Sequence, residues 1–265
     1  MRTRYEGQVW NDRFLPRLTT EEIAKLPKDN AILILPIASV EQHGNHLPVF
    51  TDSLLNEALI EGALALLPKD SAAWLLPPLQ YGKSNEHTGF SGTFSLSTAA
   101  LQAVLADLTR SMHADGWKRL IIVNSHGGNP EIIALAARDA RVELGLQVYA
   151  LNTAGLYEDE ALSAREMEYG IHGGALETSL MLAVKPDWVR PERYLAEYPT
   201  LSECSCFKLG GDVSVAWATR DLSNTGVIGD PTASTEEIGS RMYKRITRRM
   251  ADIFLEAISH QMPLS

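Results

Sequence analysis

The sequence predicts an α/β fold with helices on both faces of a mainly parallel central sheet. Three observations lead there. Apolar runs such as "AILILPIA" and "RLIIVNS" are continuous rather than alternating, as strands buried on both faces are. Helix-like segments stand between those runs, which is the rhythm of βαβ units. The chain has 265 residues and 45% hydrophobic content, enough for one sizeable core. No linker, repeat or low-complexity tract divides it, so residues 1–265 read as a single domain.

Taken in order, residues 31–39 form the first predicted strand. Residues 51–68, "TDSLLNEALIEGALALLP", read as a helix capped by Thr51 or Asp52 and ended by Pro68. Residues 72–82 read as a second apolar strand that stops at prolines. Residues 97–116 read as a helix, because Leu101, Val104, Leu105, Leu108 and Met112 recur at three- and four-residue steps before Gly116. Residues 119–125 read as a third buried strand. "GGNPEIIALAARDARVELG" is a glycine turn, a proline placed to start a helix, and the helix itself. Residues 146–152 read as a fourth strand, and 174–184 as a helix broken by "KPDW". The tail opens with a capping box from Ser234 to Glu237. It continues as a helix with Ile238, Met242, Ile246, Met250, Ile253 and Ile258 along one side. Residues 199–233 read as loop or short strands.

The formal charge of −9 repels phosphate backbones, so nucleic acid is not an expected partner. The basic stretch "YKRITRR" reads as a solvated helix face. Cys204 and Cys206 form a C-x-C pair, too few thiols for a disulfide framework, and read as structural or incidental. "MRTRYEGQVW" lacks a signal-peptide core, and no apolar stretch is long enough for a membrane span. The expected location is therefore the cytoplasm.

The polar residues cluster where such a sheet binds ligands, beyond the strand C-termini. "SVEQHGNHLPVFTD" follows the first strand and brings Glu41, His43, His46 and Asp52. Glu41 and His43 are two apart in an extended segment, so both can face one side. Asp52 stands at a helix start, where the dipole favours a carboxylate. His126 ends the third strand, and Gly127 and Gly128 leave open space above its ring. His172 and Glu177 come from "HGGALE", with Glu177 just inside a helix start. Mixed carboxylates and imidazoles suit Zn, Mn or Fe. Glu41, Asp52 and Glu177 would balance two divalent ions with one hydroxide, and such a centre suits hydrolysis of an amide-like bond. His113 and His260 read as surface or core histidines.

Three motifs, "LPIASVEQHGNHLPVFTD", "VNSHGGN" and "HGGALETSLML", resemble the creatininase family of metal-dependent hydrolases, as does "YGKSNEHTGFSGTFSLS" at 81–97. The resemblance runs from about residue 18 to 190. It implies a three-layer αβα sandwich, a dinuclear metal centre at the strand ends, with Zn the first expectation and Mn or Fe the alternatives, and a homo-oligomer, often a hexamer. By motif, Glu41, Asp52 and His126 would hold one metal. His43 and Asp52 would hold the other, with Asp52 bridging. His172 matches the histidine that transfers a proton to the leaving nitrogen, and Glu177 is placed with it among the catalytic groups. Ser84 matches a substrate-contacting serine. Gly127, Gly128, Asn129 and Tyr157 are further expected substrate contacts.

The chain departs from creatininase itself at Gly128, where the H-x-E glutamate would stand. Glu177 is expected to replace that ligand. Residues 153–171 hold Tyr157 and Tyr169 but no tryptophan to stack a flat substrate, so creatinine is not the expected substrate. The expected reaction is hydrolysis of a small amide, cyclic amide or formamide. Other branches imply peptide trimming or hydrolysis of a cyclic sugar ketone. A nucleotide site at "SHGGNP" lacks a P-loop lysine and a full G-x-G-x-x-G. A metal-holding scaffold without catalysis would not need His172.

Overall fold

In β1 (Ile32–Ile37) every residue is buried, and the side chains part by alternation. Ile32 and Ile34 enter one apolar cluster, while Leu33, Leu35 and Ile37 enter another on the opposite face. Fully burying a side chain of this size contributes roughly 1.5–3 kcal/mol, so this strand anchors both halves of the core. β3 (Arg119–Asn124) divides the same way, with Ile121 and Val123 on the first face and Leu120 and Ile122 on the second. The computed structural model describes residues 5–199, 207–208 and 213–260. Cys204 and Cys206 lie outside these residues.

β2 (Ala73–Leu75) and β4 (Gln147–Asn152) complete a parallel sheet of order β2-β1-β3-β4. Helices α1 (Thr51–Ala65), α4 (Ala175–Val184) and α5 (Glu236–Ser259) cover the first face. Helices α2 (Thr98–Ala114) and α3 (Pro130–Leu144) cover the second. This is the three-layer αβα sandwich expected. The chain leaves β1 toward β2 and β3 toward β4, in opposite directions. A crevice therefore opens beyond the C-terminal ends of β1 and β3.

Several boundaries differ from expectation, each for a local reason. The strand expected over 72–82 keeps its ladder only to Leu75. Pro77 and Pro78 lack the N–H a ladder needs, and pairing resumes at one bridge, Ile37 to Leu79. Neither Thr51 nor Asp52 caps α1: the capping position is Phe50, and the Thr51 hydroxyl donates to the Pro48 carbonyl at 2.6 Å. The Asp52 carboxylate is thereby left free. The α5 cap is Thr235, which accepts from the Ile238 amide at 3.1 Å, whereas Ser234 turns to the Pro231 carbonyl. The buried stripe of α5 continues through Phe254 and Ala257, while Ile253 and Ile258 stand at its edge. Between 199 and 233, the described residues contain a two-residue parallel pairing of Phe207–Lys208 with Val213–Ser214 and a short helix, Thr219–Leu222. No helix among the described residues is long and apolar enough to cross a membrane.

Candidate metal centre

The strand ends and α1 are locked together before any site chemistry begins. Asn56 of α1 donates to the Ile37 carbonyl at 2.8 Å and the Val123 carbonyl at 3.0 Å. Ser53 donates to the Ser39 carbonyl, and Ser125 donates to the Asp52 carbonyl. The first turn of α1 is thus fixed above the ends of β1 and β3. It places Asp52 between His43 and His126: Oδ1 lies 3.2 Å from His43 Nε2 and Oδ2 3.4 Å from His126 Nδ1. Glu41 completes this corner, with Oε2 3.1 Å from His126 Nδ1. All four groups are buried.

The proton positions follow from their partners. A carbonyl only accepts, so a ring nitrogen facing one carries the hydrogen. His43 donates from Nδ1 to the Glu41 carbonyl at 3.1 Å. His126 donates from Nε2 to the Lys83 carbonyl at 2.8 Å. His172 donates from Nε2 to the Gln42 carbonyl at 2.6 Å. Each neutral ring then turns a lone pair inward, toward carboxylates. His43 Nε2 and Asp52 Oδ2 have no hydrogen-bond partner although both are buried. Lone pairs facing carboxylates in a dry site need a cation between them, and second nitrogens tied to carbonyls are the arrangement of metal-ligating histidines. The donor set therefore fits divalent metal. Among the described residues, ligand atoms of Glu41, His43 and Asp52 lie within 4.8 Å of one another, as do those of His43, His172 and Glu177.

The electrostatics agree with that fit. Burial opposes a charged His43, yet Asp52, Glu177 and Glu41 outweigh it and push its pKa up to about 10. His126 is likewise raised, with Glu41 and Asp52 overcoming burial. Both positions thus favour positive charge beside the carboxylates. Asp52 is held below the usual carboxylate range, because His43 and His126 outweigh its burial. Glu177 is pushed up to about 7, chiefly by burial. Its Oε2 accepts from the Gly173 amide at 2.6 Å, which fixes it at the start of α4. His172 is driven well below its ordinary value by burial, then by His43 and His87. It lies between those two rings, with centroids 4.3 and 4.2 Å away.

A cavity of about 290 Å³ opens over this floor, lined by Glu41, Asp52, Glu86, His126 and His172 among others. Gly127 and Gly128 form part of its wall. The other expected substrate contacts lie behind it. Asn129 is fully buried and fully used: its Oδ1 accepts from the Lys83 amide, and its Nδ2 donates to Ala38 and Asn124. Ser84 is buried against Ser39 and His126 Nε2. The Tyr157 hydroxyl meets Thr153 at 3.3 Å, and its ring packs on the core. His46 turns away from the cluster, and its Nε2 lies 3.0 Å from the Thr178 hydroxyl. Burial and then the charge of His43 hold its pKa down to about 4.

Sequence reasoning missed four groups here. Glu86 and His87, in "SNEH", line the cavity. Gln42 sits inside the "EQHG" stretch. Its Oε1 accepts from the Gly44 amide and its Nε2 donates to the Gly226 carbonyl, which fixes the amide's orientation. That Nε2 also donates to His87 Nδ1 at 2.9 Å, where the Thr219 hydroxyl reaches 2.8 Å. His87 therefore carries its hydrogen on Nε2, 3.3 Å from Glu41 Oε1. It is the opposite tautomer in role: a donor toward the site, not a lone pair. The fourth group is Trp217, a tryptophan from a later segment that lines the cavity, whereas 153–171 has none.

A sequence model described as Creatininase: Creatinine amidohydrolase matches residues 16–254. The chain is 33% identical over 225 residues to the mycofactocin precursor peptide peptidase of Mycolicibacterium smegmatis, covering 83% of each chain. It is 34% identical over 211 residues to the creatinine amidohydrolase of Pseudomonas putida, covering 70% of this chain and 77% of that protein. Two solved structures superpose on it at 27% identity, each over 93% of this chain. A creatininase in its Mn form gives a TM-score of 0.74 over 99% of its own length. A mutant creatininase of Zn–Zn type gives 0.76 over 98%.

Proposed function

This chain is a hydrolase of the creatininase family, and from that premise we propose that it is a metal-dependent amidohydrolase that cleaves a C–N bond of a small amide. The observation that carries the reading is the convergence of pinned imidazole lone pairs on buried carboxylates at the cavity floor. Glu41, Asp52 and His126 would hold one divalent ion. His43, Asp52 and Glu177 would hold a second, with Zn or Mn as the first ions to test. Divalent ions held there would supply Lewis acidity to a scissile carbonyl and lower the pKa of water.

The protein's own groups do the rest. Gly127 presents backbone without a side chain to open space, so the amide can approach the floor closely, whereas the space at Gly128 is taken by the Lys83 carbonyl and Glu86. His172 is neutral, and the Gln42 carbonyl holds its Nε2–H. Its Nδ1 is free to take the proton of the attacking water and return it to the leaving nitrogen as the C–N bond breaks. His87 donates from Nε2 toward Glu41 Oε1 and holds that carboxylate in place. The same reading takes the enzyme as cytoplasmic and homo-oligomeric.

The test is hydrolysis of a panel of formamides, cyclic amides and short peptides by protein loaded with Zn or Mn, beside Asp52→Ala. The expected result is turnover of one class, lost with metal in the variant. Full metal content and turnover in Asp52→Ala would sink the reading. Peptide trimming is the second reading. The likeness to a peptide peptidase over 83% of the chain favours it, and the same panel separates the two.

A further inference from the structure

Gly128 has no room for a side chain. A Cβ there would stand 2.1 Å from the Lys83 carbonyl oxygen, 2.4 Å from Glu86 Oε1 and 2.6 Å from His126 Nε2. The glycine is what lets the 83–86 segment close against the outer nitrogen of His126. Three acceptors gather at that nitrogen: the Lys83 carbonyl at 2.8 Å, the Ser84 hydroxyl at 3.2 Å and Glu86 Oε1 at 3.3 Å. Asn129 secures the arrangement by accepting the Lys83 amide at 2.9 Å. On the far side of the same ring, Nδ1 meets Glu41 and Asp52.

We propose that Glu86 is a positioning residue for His126: its carboxylate supports the imidazole from behind, so that Nδ1 is aimed and made more basic toward a divalent ion. The inference rests on reading His126 as a metal ligand. A carboxylate behind a ligating histidine fixes its orientation and raises its donor strength, and its removal typically costs about 10–100-fold in metal affinity. Glu86 also lies near Glu41 and His126 in a way that would permit direct ligation. The two roles differ in what removal does. Loss of a supporting group weakens binding and leaves the ion count intact, whereas loss of a ligand lowers the count.

The experiment titrates Zn²⁺ against a competing chelator for the wild type, Glu86→Ala, Glu86→Gln and Asn85→Ala. It also counts ions per chain at saturation and measures melting of the metal-free proteins. Glu86→Ala should bind about 10–100-fold more weakly, with an unchanged ion count and an unchanged metal-free melting temperature. Glu86→Gln, which keeps an acceptor and loses the charge, should fall between it and wild type. Asn85→Ala, on the exposed side of the segment, should match wild type. If Glu86→Ala does not fold, the same comparison is read from Glu86→Gln. Unchanged Zn²⁺ affinity would overturn the proposal, as would a lower ion count at saturation, or a metal-free melting temperature that falls along with affinity. A wild type that binds no Zn²⁺ would instead overturn the metal-centre reading beneath it.

Discussion

The inner and outer layers of the site obey opposite rules. In the inner layer, groups of one kind face each other: the inward nitrogens of His43 and His126 meet the oxygens of Glu41 and Asp52, and buried atoms lack partners. Around Glu197, in the outer layer, donors meet acceptors. The hydroxyls of Ser223 and Thr225 and the amides of Asn224 and Thr225 converge on Glu197. The effect on two glutamates is opposite. Burial pushes Glu177 up to about 7, while the donors around Glu197 outweigh burial and take it down to about 2. A fold tolerates the first kind of arrangement only where something else completes it. The difference separates a site from its scaffold.

Substitutions should break that contrast in order of size. Asp52→Ala removes the carboxylate shared by both inner histidines. It should abolish bound metal and lower turnover by several kcal/mol of transition-state stabilisation, about 10³-fold or more, as read by elemental analysis beside kinetics. His172→Ala should lower kcat by about 10²–10⁴-fold with metal content unchanged; a fall in both would make it a ligand. Asn129→Ala acts on the outer layer, where it strands three partners, the Lys83 amide, the Ala38 carbonyl and the Asn124 side-chain oxygen. It should cost about 1–3 kcal/mol in stability, seen in urea unfolding. A large change in KM at unchanged stability would return Asn129 to the substrate contacts.

Acid should separate the layers as well. The folded pKa of Glu197 lies below its ordinary 4.5, at about 2. Its contribution to stability is therefore present above pH 4.5 and lost as pH falls toward 2. Glu197→Gln should melt about 2–4 °C lower than wild type at neutral pH, a small effect because solvent screens the group. The gap should close between pH 4.5 and 2. A gap constant across that range would mean that charge plays no part.

What could be read from the sequence follows the same division. The inner residues announce themselves, because Glu41, His43 and His126 directly follow buried aliphatic strands, and Asp52 and Glu177 stand at helix starts. Strand and helix periodicity place such residues without knowledge of their partners. The outer layer depends on direction. Residue type says that Asn129 and Ser84 can hydrogen-bond, not that their partners are loop amides, a neighbouring serine and the back of His126. Glu86 and His87 lie in a segment without periodicity, and Trp217 arrives from a stretch with no regular element to place it. Gly128 shows the limit most clearly. As a sequence feature it is an absent side chain; in the fold it is the space into which the Lys83 carbonyl and Glu86 close on His126.

The central claim is that the inner layer is completed by two divalent ions. The most direct measurement is elemental analysis of protein purified without chelator, for wild type and Glu177→Gln together. A dinuclear centre with Glu177 as ligand gives about two ions per chain in wild type and about one in the variant. One ion or none in wild type would contradict it.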